Sequence, residues 1–191
     1  MRAKLNMLKL KEKYKIEVVP KMIEKFGYKN ALAVPRVEKA VLNIGFGRQV
    51  SGKGSQEREK IQEAFLNDLT LIAGQRLVLT KAKRSISAFK IRRGLPIGAK
   101  AVIRGHRMYD FLERLIYIAL PRSRDFRGIQ ESSIDRQGQM TIGIKEHICF
   151  PEILPERAKE IFGFEVTVVT NAKKRQENIE LFKLLGFPIK S

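Results

Sequence analysis

The 191-residue sequence has no tryptophan, two histidines and a single cysteine, Cys149. One thiol can neither close an internal disulfide nor complete a zinc tetrad. Secreted disulfide scaffolds and cysteine-rich zinc modules are therefore excluded, and a reducing compartment is expected. Uninterrupted apolar runs are short: residues 115–120 fall far below the roughly 18 residues a bilayer-spanning helix needs, so no integral membrane protein is expected. The basic N-terminus (Arg2, Lys4, Lys9, Lys11, Lys13, Lys15) also carries Glu12 and Glu17 and lacks a signal peptide's apolar block, and is read as part of the mature fold. Glycine and proline are sparse, 14 and 7 residues, and 43% of the chain is apolar. That composition excludes a disordered basic tail and is long enough for one good core or two small domains.

The most informative absence is of carboxylates. Residues 1–60 hold 15 basic and 6 acidic side chains, residues 61–130 hold 14 and 5, and residues 131–191 hold 9 of each, so the whole excess of +18 lies in the first 130 residues. Residues 69–109 contain no Asp or Glu, yet carry Arg76, Lys81, Lys83, Arg84, Lys90, Arg92, Arg93, Lys100, Arg104 and Arg107. Like charges at that density repel, and a folded chain tolerates them most easily when a polyanion supplies the counter-charge. Nucleic acid fits this pattern. A face kept basic only for solubility would interleave acids, as the last 60 residues do. An anionic membrane would want a basic helix with an aromatic and aliphatic opposite face, whereas this stretch is broken by Gly and Pro and reads as strand.

Apolar spacing predicts a helix over residues 5–26 (Leu5, Leu8, Tyr14, Val18, Met22, Phe26) ended by Gly27, with Pro20 as a kink or restart. Residues 37–46 alternate as a strand. A second helix spans about 56–73 and stops at Gly74. Residues 76–81 and 100–104 alternate basic and apolar residues as strands around a Ser-, Gly- and Pro-rich stretch. A helix over 107–120 closes at Pro121, residues 122–138 form a turn-rich connection, strands follow at 140–144 and 164–170, and a last helix covers 176–185. There are no internal repeats and no linker. Blocks of strands and helices, without strict alternation, predict an α+β fold: a mostly antiparallel five-stranded sheet with helices on one face, in a single domain over residues 1–191. Such a sheet leaves its other face open for a ligand.

Catalytic constellations fail one by one. The segment Gly47 to Ser55 follows a strand and precedes a helix like a P-loop, but Gly54 stands where magnesium needs a hydroxyl, and Ser55 comes one residue late. No apolar strand ends in Asp to hold the ion; residues 164–170 end at Asn171. A flexible basic loop is expected there. His106 and His147 have no acid at ligand or relay spacing that stands out from chance. Cys149, between Ile148 and Phe150, reads as a buried apolar side chain. Glu156 and Glu160, beside Arg157 and Lys159, read as a solvated charged face. No metal and no cofactor are expected. In the basic segment, Lys81, Lys83, Arg84, Lys90, Arg92 and Arg93 flank Ser85, Ser87 and Phe89, a mixture suited to phosphate contact plus stacking on an unpaired base, with core packing the other reading for Phe89. In the 121–128 turn, three arginines surround Asp125 and suggest an internal brace.

At these positions the sequence resembles bacterial-type large-subunit ribosomal protein five, the family that carries 5S rRNA into the central protuberance. The shared motifs run in order: Pro35 to Lys39 leading to Asn43-Ile44-Gly45-Phe46-Gly47, then Gly74-Gln75, Thr80 to Lys90, Ile91-Arg92, Gly94 and Pro96-Ile97-Gly98. The 121–128 turn and Phe150-Pro151-Glu152-Ile153 follow, both closer to the bacterial and organellar branch. The resemblance implies a structural, non-enzymatic RNA-binding protein of a cytoplasmic ribosome, an organellar ribosome being the other setting. It implies an open sheet face gripping 5S rRNA, with contact positions at Asn43, Gln75 and Phe89, supported by the cations Arg36, Lys39, Lys100 and Arg104. A fourth position, usually threonine, is Val102 here. The loop of Lys81, Lys83, Arg84, Ser85, Lys90, Arg92 and Arg93, expected to be mobile, resembles one that reaches peptidyl-site tRNA. Residues 134–150 resemble a part that meets a small-subunit head protein across an intersubunit bridge. Further implied partners are 23S-type rRNA and neighbouring central-protuberance proteins, with no membrane. About six extra residues precede the first strand, and about six more lie between Gly47 and Gln75, near 48–58. They read either as RNA-facing extensions or as surface loop. The competing functions are an RNA-modifying or RNA-cleaving enzyme, for which no catalytic group is found, and a general anionic-surface binder.

Overall fold

A computed structural model describes residues 9–124, 126–154, 156 and 160–190. Five strands, β1 (Val37–Gly45), β2 (Val78–Lys81), β3 (Pro96–Ile103), β4 (Met140–Ile144) and β5 (Phe164–Thr170), form one antiparallel sheet in the order β2-β3-β1-β5-β4. Their period-two pattern decides its faces. Ala40, Leu42 and Ile44 of β1, Ala99, Ala101 and Ile103 of β3, and Met140, Ile142 and Ile144 of β4 are buried. Asn43, Lys100, Val102, Thr141 and Gly143 alternate with them and are exposed. The expected α+β class and half-open antiparallel sheet are present.

The chain clusters into two compact units. The first contains the described residues up to Ala40, 104–142 and from Thr167 onward. Its helices are α1 (Leu10–Lys13), α2 (Val19–Phe26), α5 (Gly105–Arg114), α6 (Leu120–Arg122) and α7 (Arg175–Leu185). A wide π-turn joins α1 to α2 at Tyr14–Val18, and another joins α5 to α6 at Leu115–Ala119. Each ends two residues before a proline, Pro20 or Pro121. Proline has no N–H to give and clashes with the carbonyl four residues back; the widened turn accommodates it, so the helical path continues where sequence alone suggested a kink or a stop. The start of α1 borrows an acceptor from α5, since Leu10 N donates to Glu113 Oε2 (3.2 Å). The end of α7 borrows a donor, Lys13 Nζ, which reaches the Leu185 carbonyl (3.2 Å).

The second unit spans 41–103 and 143–166 and contains α3 (Gly47–Val50) and the long α4 (Ser55–Ala73). Helix α4 buries Phe65, Leu69, Ile72 and Ala73 and packs on β3. Strand β1 stops at Gly45 because Phe46 turns into this core, fully buried, while its N–H still bonds the Ile97 carbonyl (2.9 Å). The Phe46 ring stacks on Phe65 (centroids 5.6 Å, 12°), and Phe65 meets Phe162 edge-on at 4.6 Å. Strand β3 begins at Pro96, earlier than its alternation suggests, and β2 begins at Val78, two residues later than expected. Thr80 pairs with Gly98 and Lys81 with Pro96, so the proline occupies the strand start, where its missing donor costs least. Gly98 is obligatory there: a Cβ would lie 2.4 Å from the Ile44 carbonyl oxygen and 2.8 Å from Thr80 Oγ1.

His147 is fully buried in the second unit. Its ring stacks on Phe162 (3.9 Å, 8°) and its Nε2 lies 3.4 Å from Asp68 Oδ2, without hydrogen-bond alignment. Burial holds its pKa below the ordinary 6.5, with Asp68 opposing that shift. The unfolded chain binds this proton near 6.5 and the folded chain only at lower pH, so the stabilisation is complete above 6.5 and declines as pH falls below it. Urea midpoints of the wild-type protein are therefore expected to fall between pH 7 and pH 5. His147→Phe, which keeps a ring against Phe162, is expected to flatten that decline; an unchanged slope in the variant would assign the acid sensitivity to other groups.

Candidate nucleic-acid interface

The open face of the second unit is built by alternation. Leu42 and Ile44 point into the core, so Asn43 between them points out; Ala101 and Ile103 likewise place Lys100 and Val102 outside. Gln75, in the turn between α4 and β2, donates its side-chain amide to the Val102 carbonyl (3.1 Å). That bond fixes the Gln75 side chain at the edge of β3 and leaves its own carbonyl oxygen for an outside partner. It uses the backbone of residue 102, so a valine there serves as well as a threonine for positioning Gln75. Beside Asn43 runs a shallow cleft of about 600 Å³ lined by Gly45, Gly143, Lys145, Gly163 and Glu165. Gly45 and Gly143 are exposed, and a Cβ on either would meet nothing within 4 Å. The floor of this cleft is therefore bare backbone, a surface that a flat base or sugar-phosphate chain approaches closely. Gly45, Gly143 and Lys145 escaped the sequence reading, although the alternation of β4 already placed Gly143 outward.

Phe89 does not share the sheet face itself. It sits in a single 3₁₀ turn (Ser87–Phe89) and is 60% exposed, which rules out core packing. It borders a second cleft of about 910 Å³ with Arg48, Ser51, Lys90, Ile97 and Ile161. This cleft and the one beside Asn43 share Gly45 and Gly163, so the two adjoin. The loop around Phe89 carries its own hydrogen bonds. Ile86 and Ile91 pair reciprocally (2.9 and 3.1 Å), Ala82 and Gly94 bridge its base, and Arg93 N donates to Ser85 Oγ (2.9 Å). Lys81, Lys83, Arg84, Ser85, Lys90, Arg92 and Arg93 are all exposed on it. The expected flexible basic loop after β1 is instead the helical turn α3, a brief turn and the first residues of α4.

Among the described residues, none of the ten cations from Arg76 to Arg107 lies within ion-pair distance of a carboxylate. Arg36, Lys39 and Arg104 belong to the first unit, at the entry to β1 and just before α5. Arg36 is exposed, with its backbone held by Asn171 (N to Oδ1, 2.7 Å). Its charge draws down the phenols of Tyr14 and Tyr109, although burial dominates and pushes Tyr14 up to about 12. His106 lies 3.1 Å from Asp110 one helical turn on, an exposed pair, and Cys149 is buried. No group of three potential metal ligands exists among the described residues, and no helix there is long and apolar enough to cross a membrane. The suggested Asp125 brace, and Arg157 and Lys159 beside Glu156 and Glu160, lie outside the described residues.

Residues 30–92, which carry Asn43, Gln75 and the basic loop as far as Arg92, match the family described as Ribosomal protein L5; residues 96–189 match the ribosomal L5P family C-terminus. The large ribosomal subunit protein uL5 of Thermoanaerobacter sp. (strain X514) is 50% identical over 182 residues, covering 95% of this chain and 98% of that relative. The corresponding protein of Halothermothrix orenii is 48% identical over 179 residues (94% and 97%), and that of Kosmotoga olearia 50% over 181 (95% and 96%). With nearly its full length aligned at that identity, the chain belongs to the ribosomal protein L5 family of the large ribosomal subunit.

Proposed function

We propose that the protein is a structural, non-enzymatic component of the large subunit that binds 5S rRNA on the open sheet face of its second unit. The observation that carries this reading is the juxtaposition on one face of an outward Asn43, a Gln75 pinned to β3, the free cation Lys100 and a glycine-floored cleft. Lysines and arginines neutralise phosphates and set register, while the amides of Asn43 and Gln75 hydrogen-bond sugar or base edges. Phe89, exposed and flanked by Lys90, offers a ring for an unpaired base. The loop from Lys81 to Arg93 contacts peptidyl-site tRNA. Residues 134–150, in the electrically balanced third of the chain, suit a protein partner on the small-subunit head. 23S-type rRNA and neighbouring central-protuberance proteins complete the surroundings.

Asn43 and Gln75 contact RNA as neutral groups, whereas Lys100 does so as a charge, and the two roles leave different signatures in a salt titration. Asn43→Ala and Gln75→Ala are each expected to weaken 5S rRNA binding about 5- to 20-fold, as for one lost hydrogen bond in a desolvated contact, with no change in the salt slope. Lys100→Gln is expected to lower that slope by roughly 0.7 to 0.9. Wild-type affinity in both amide variants would refute the sheet-face assignment.

The glycine floor supplies a steric test. Gly45→Val and Gly143→Val put side chains into open space on strands that favour β-branched residues, so thermal stability is expected to hold while 5S rRNA affinity drops at least about tenfold by filter binding. Retained affinity would mean that RNA does not approach this floor.

Val102 is 39% exposed on the same face. Val102→Thr adds a hydroxyl at the position where the family usually has one, and is expected to tighten 5S rRNA binding about 2- to 10-fold, the range for one net hydrogen bond. Isothermal titration of the two proteins side by side measures it.

A further inference from the structure

The extra residues near 48–58 and the basic loop 81–93 meet in the second unit, although 22 residues separate them in sequence. The Ser51 hydroxyl donates to the Phe89 carbonyl. Gly52, at φ +75°, brings its backbone against the Lys90 stem, where a Cβ would stand 3.8 Å from Lys90 Cδ. Between the two segments opens a cleft of about 610 Å³ whose polar lining is Lys53, Arg58, Ser85, Ser87, Lys90 and Arg92. Four cations and two hydroxyls converge there, and no carboxylate or aromatic ring lines the cleft.

The donors are oriented. Arg58 Nε donates to the Gly54 carbonyl (3.3 Å), which holds one edge of the guanidinium and leaves its two terminal nitrogens for a ligand. Ser85 Oγ accepts from Arg93 N (2.9 Å), so its own proton is free to donate. Lys53 pairs with Glu57 (2.8 Å, one helical turn on), a surface pair worth little that a phosphate can displace. Lys90 is the one non-glycine among the described residues with a positive φ, +51°. That conformation is strained for a residue with a Cβ and is held by Lys90 N on the Ser87 carbonyl (2.9 Å) and by Ser51 on Phe89.

We propose that this cleft is a cradle for adjacent backbone phosphates of an RNA strand, with the 48–58 segment as one wall and the 81–93 loop as the other. The inference rests on the reading of the protein as an rRNA-binding component whose basic loop faces RNA, and it adds the extra residues to that contact. Without an aromatic platform in the cleft, recognition there is of the phosphodiester chain and is independent of base sequence. The extra segment therefore works as the second jaw of a phosphate clamp.

The test uses the full chain bound to 5S rRNA, with a tRNA transcript as the second RNA, and three variants: Lys53→Gln with Arg58→Gln, Lys90→Gln with Arg92→Gln, and all four together. Each pair is expected to weaken tRNA binding about tenfold or more and to lower the salt slope by roughly 1.4 to 1.8, two phosphates at 0.7 to 0.9 each. Because both walls hold the same phosphates, the fourfold variant is expected to lose clearly less than the product of the two losses. Lys53, Lys90 and Arg92 are exposed and Arg58 is half-buried, and urea midpoints are expected to match wild type. Wild-type tRNA affinity in the Lys53/Arg58 variant would overturn the cradle, as would multiplicative losses, which signal two separate patches. Affinity for 5S rRNA alone is expected to stay within about twofold, and a matching loss there would also overturn the cradle as a separate site. Should Asn43→Ala and Gln75→Ala leave 5S rRNA binding intact while the two pairs still couple, the sheet-face reading falls and the cradle stands.

Discussion

Uncompensated positive charge is the constraint around which the rest of this molecule is arranged. Two unit charges 7 Å apart in water repel by about 0.6 kcal/mol, and salt screens them only beyond about 8 Å at physiological strength. Ten cations within 41 residues, with no carboxylate among them, make a standing electrostatic load that the fold must carry until a polyanion arrives. The fold carries it by keeping every one of those side chains exposed, eight of them on the second unit and Arg104 and Arg107 on the first. The core of the second unit is apolar and aromatic, centred on Phe46, Phe65 and Phe162, and needs nothing from the charged surface to stay folded. The cations are thus free to be placed for a ligand.

Positioning then falls to groups that carry no charge. Gln75 is tied to the backbone of β3, Ser51 to the backbone at Phe89, and Ser85 to the backbone at Arg93. Each side chain spends one hydrogen-bonding group on the protein and keeps another for the outside. These ties order the loops without a carboxylate, whose negative charge would repel a phosphate. Glu57 and Glu165 are the local exceptions. Glu57 pairs with Lys53, and Glu165 lines the glycine-floored cleft.

Much of this was legible in the sequence, and what was not has physical causes. Strands β4 and β5 fall where strict alternation puts them, and Asn43, Lys100 and Val102 face outward for the same reason. An α-helix does restart at Pro20, and past Pro121 the helix runs one residue further; the π-turn upstream that absorbs each proline is not announced by a 3.6-residue period. Strand β3 starts early because Pro96, Ile97 and Gly98 do not alternate; their pairing is dictated by the close approach of β1 and β2 at Gly98. The tie from Gln75 to Val102 and the meeting of Ser51 with Phe89 link residues 27 and 38 positions apart, a separation that local patterns cannot resolve. Phe89 was open to two readings from the sequence, and its exposure settles only that it is not core.

The balanced third of the chain shows the contrast that gives the charge pattern its meaning. There, Lys183 reaches Glu131 (3.7 Å), Arg175 donates to the carbonyls of Glu131 (2.6 Å) and Ile134 (3.3 Å), and Glu180 takes Lys25 from α2 (2.6 Å). Polar groups are likewise paired internally, with Thr170 N donating to Gln139 Oε1 (2.9 Å) and the Thr170 hydroxyl to buried Asn178. The same chain therefore builds two kinds of electrostatic surface. One, around Glu131 and Glu180 in the first unit, pairs carboxylates with nearby cations. The other leaves donors and cations unpaired over the open sheet face and its loops, an arrangement whose natural complement is a chain of phosphates.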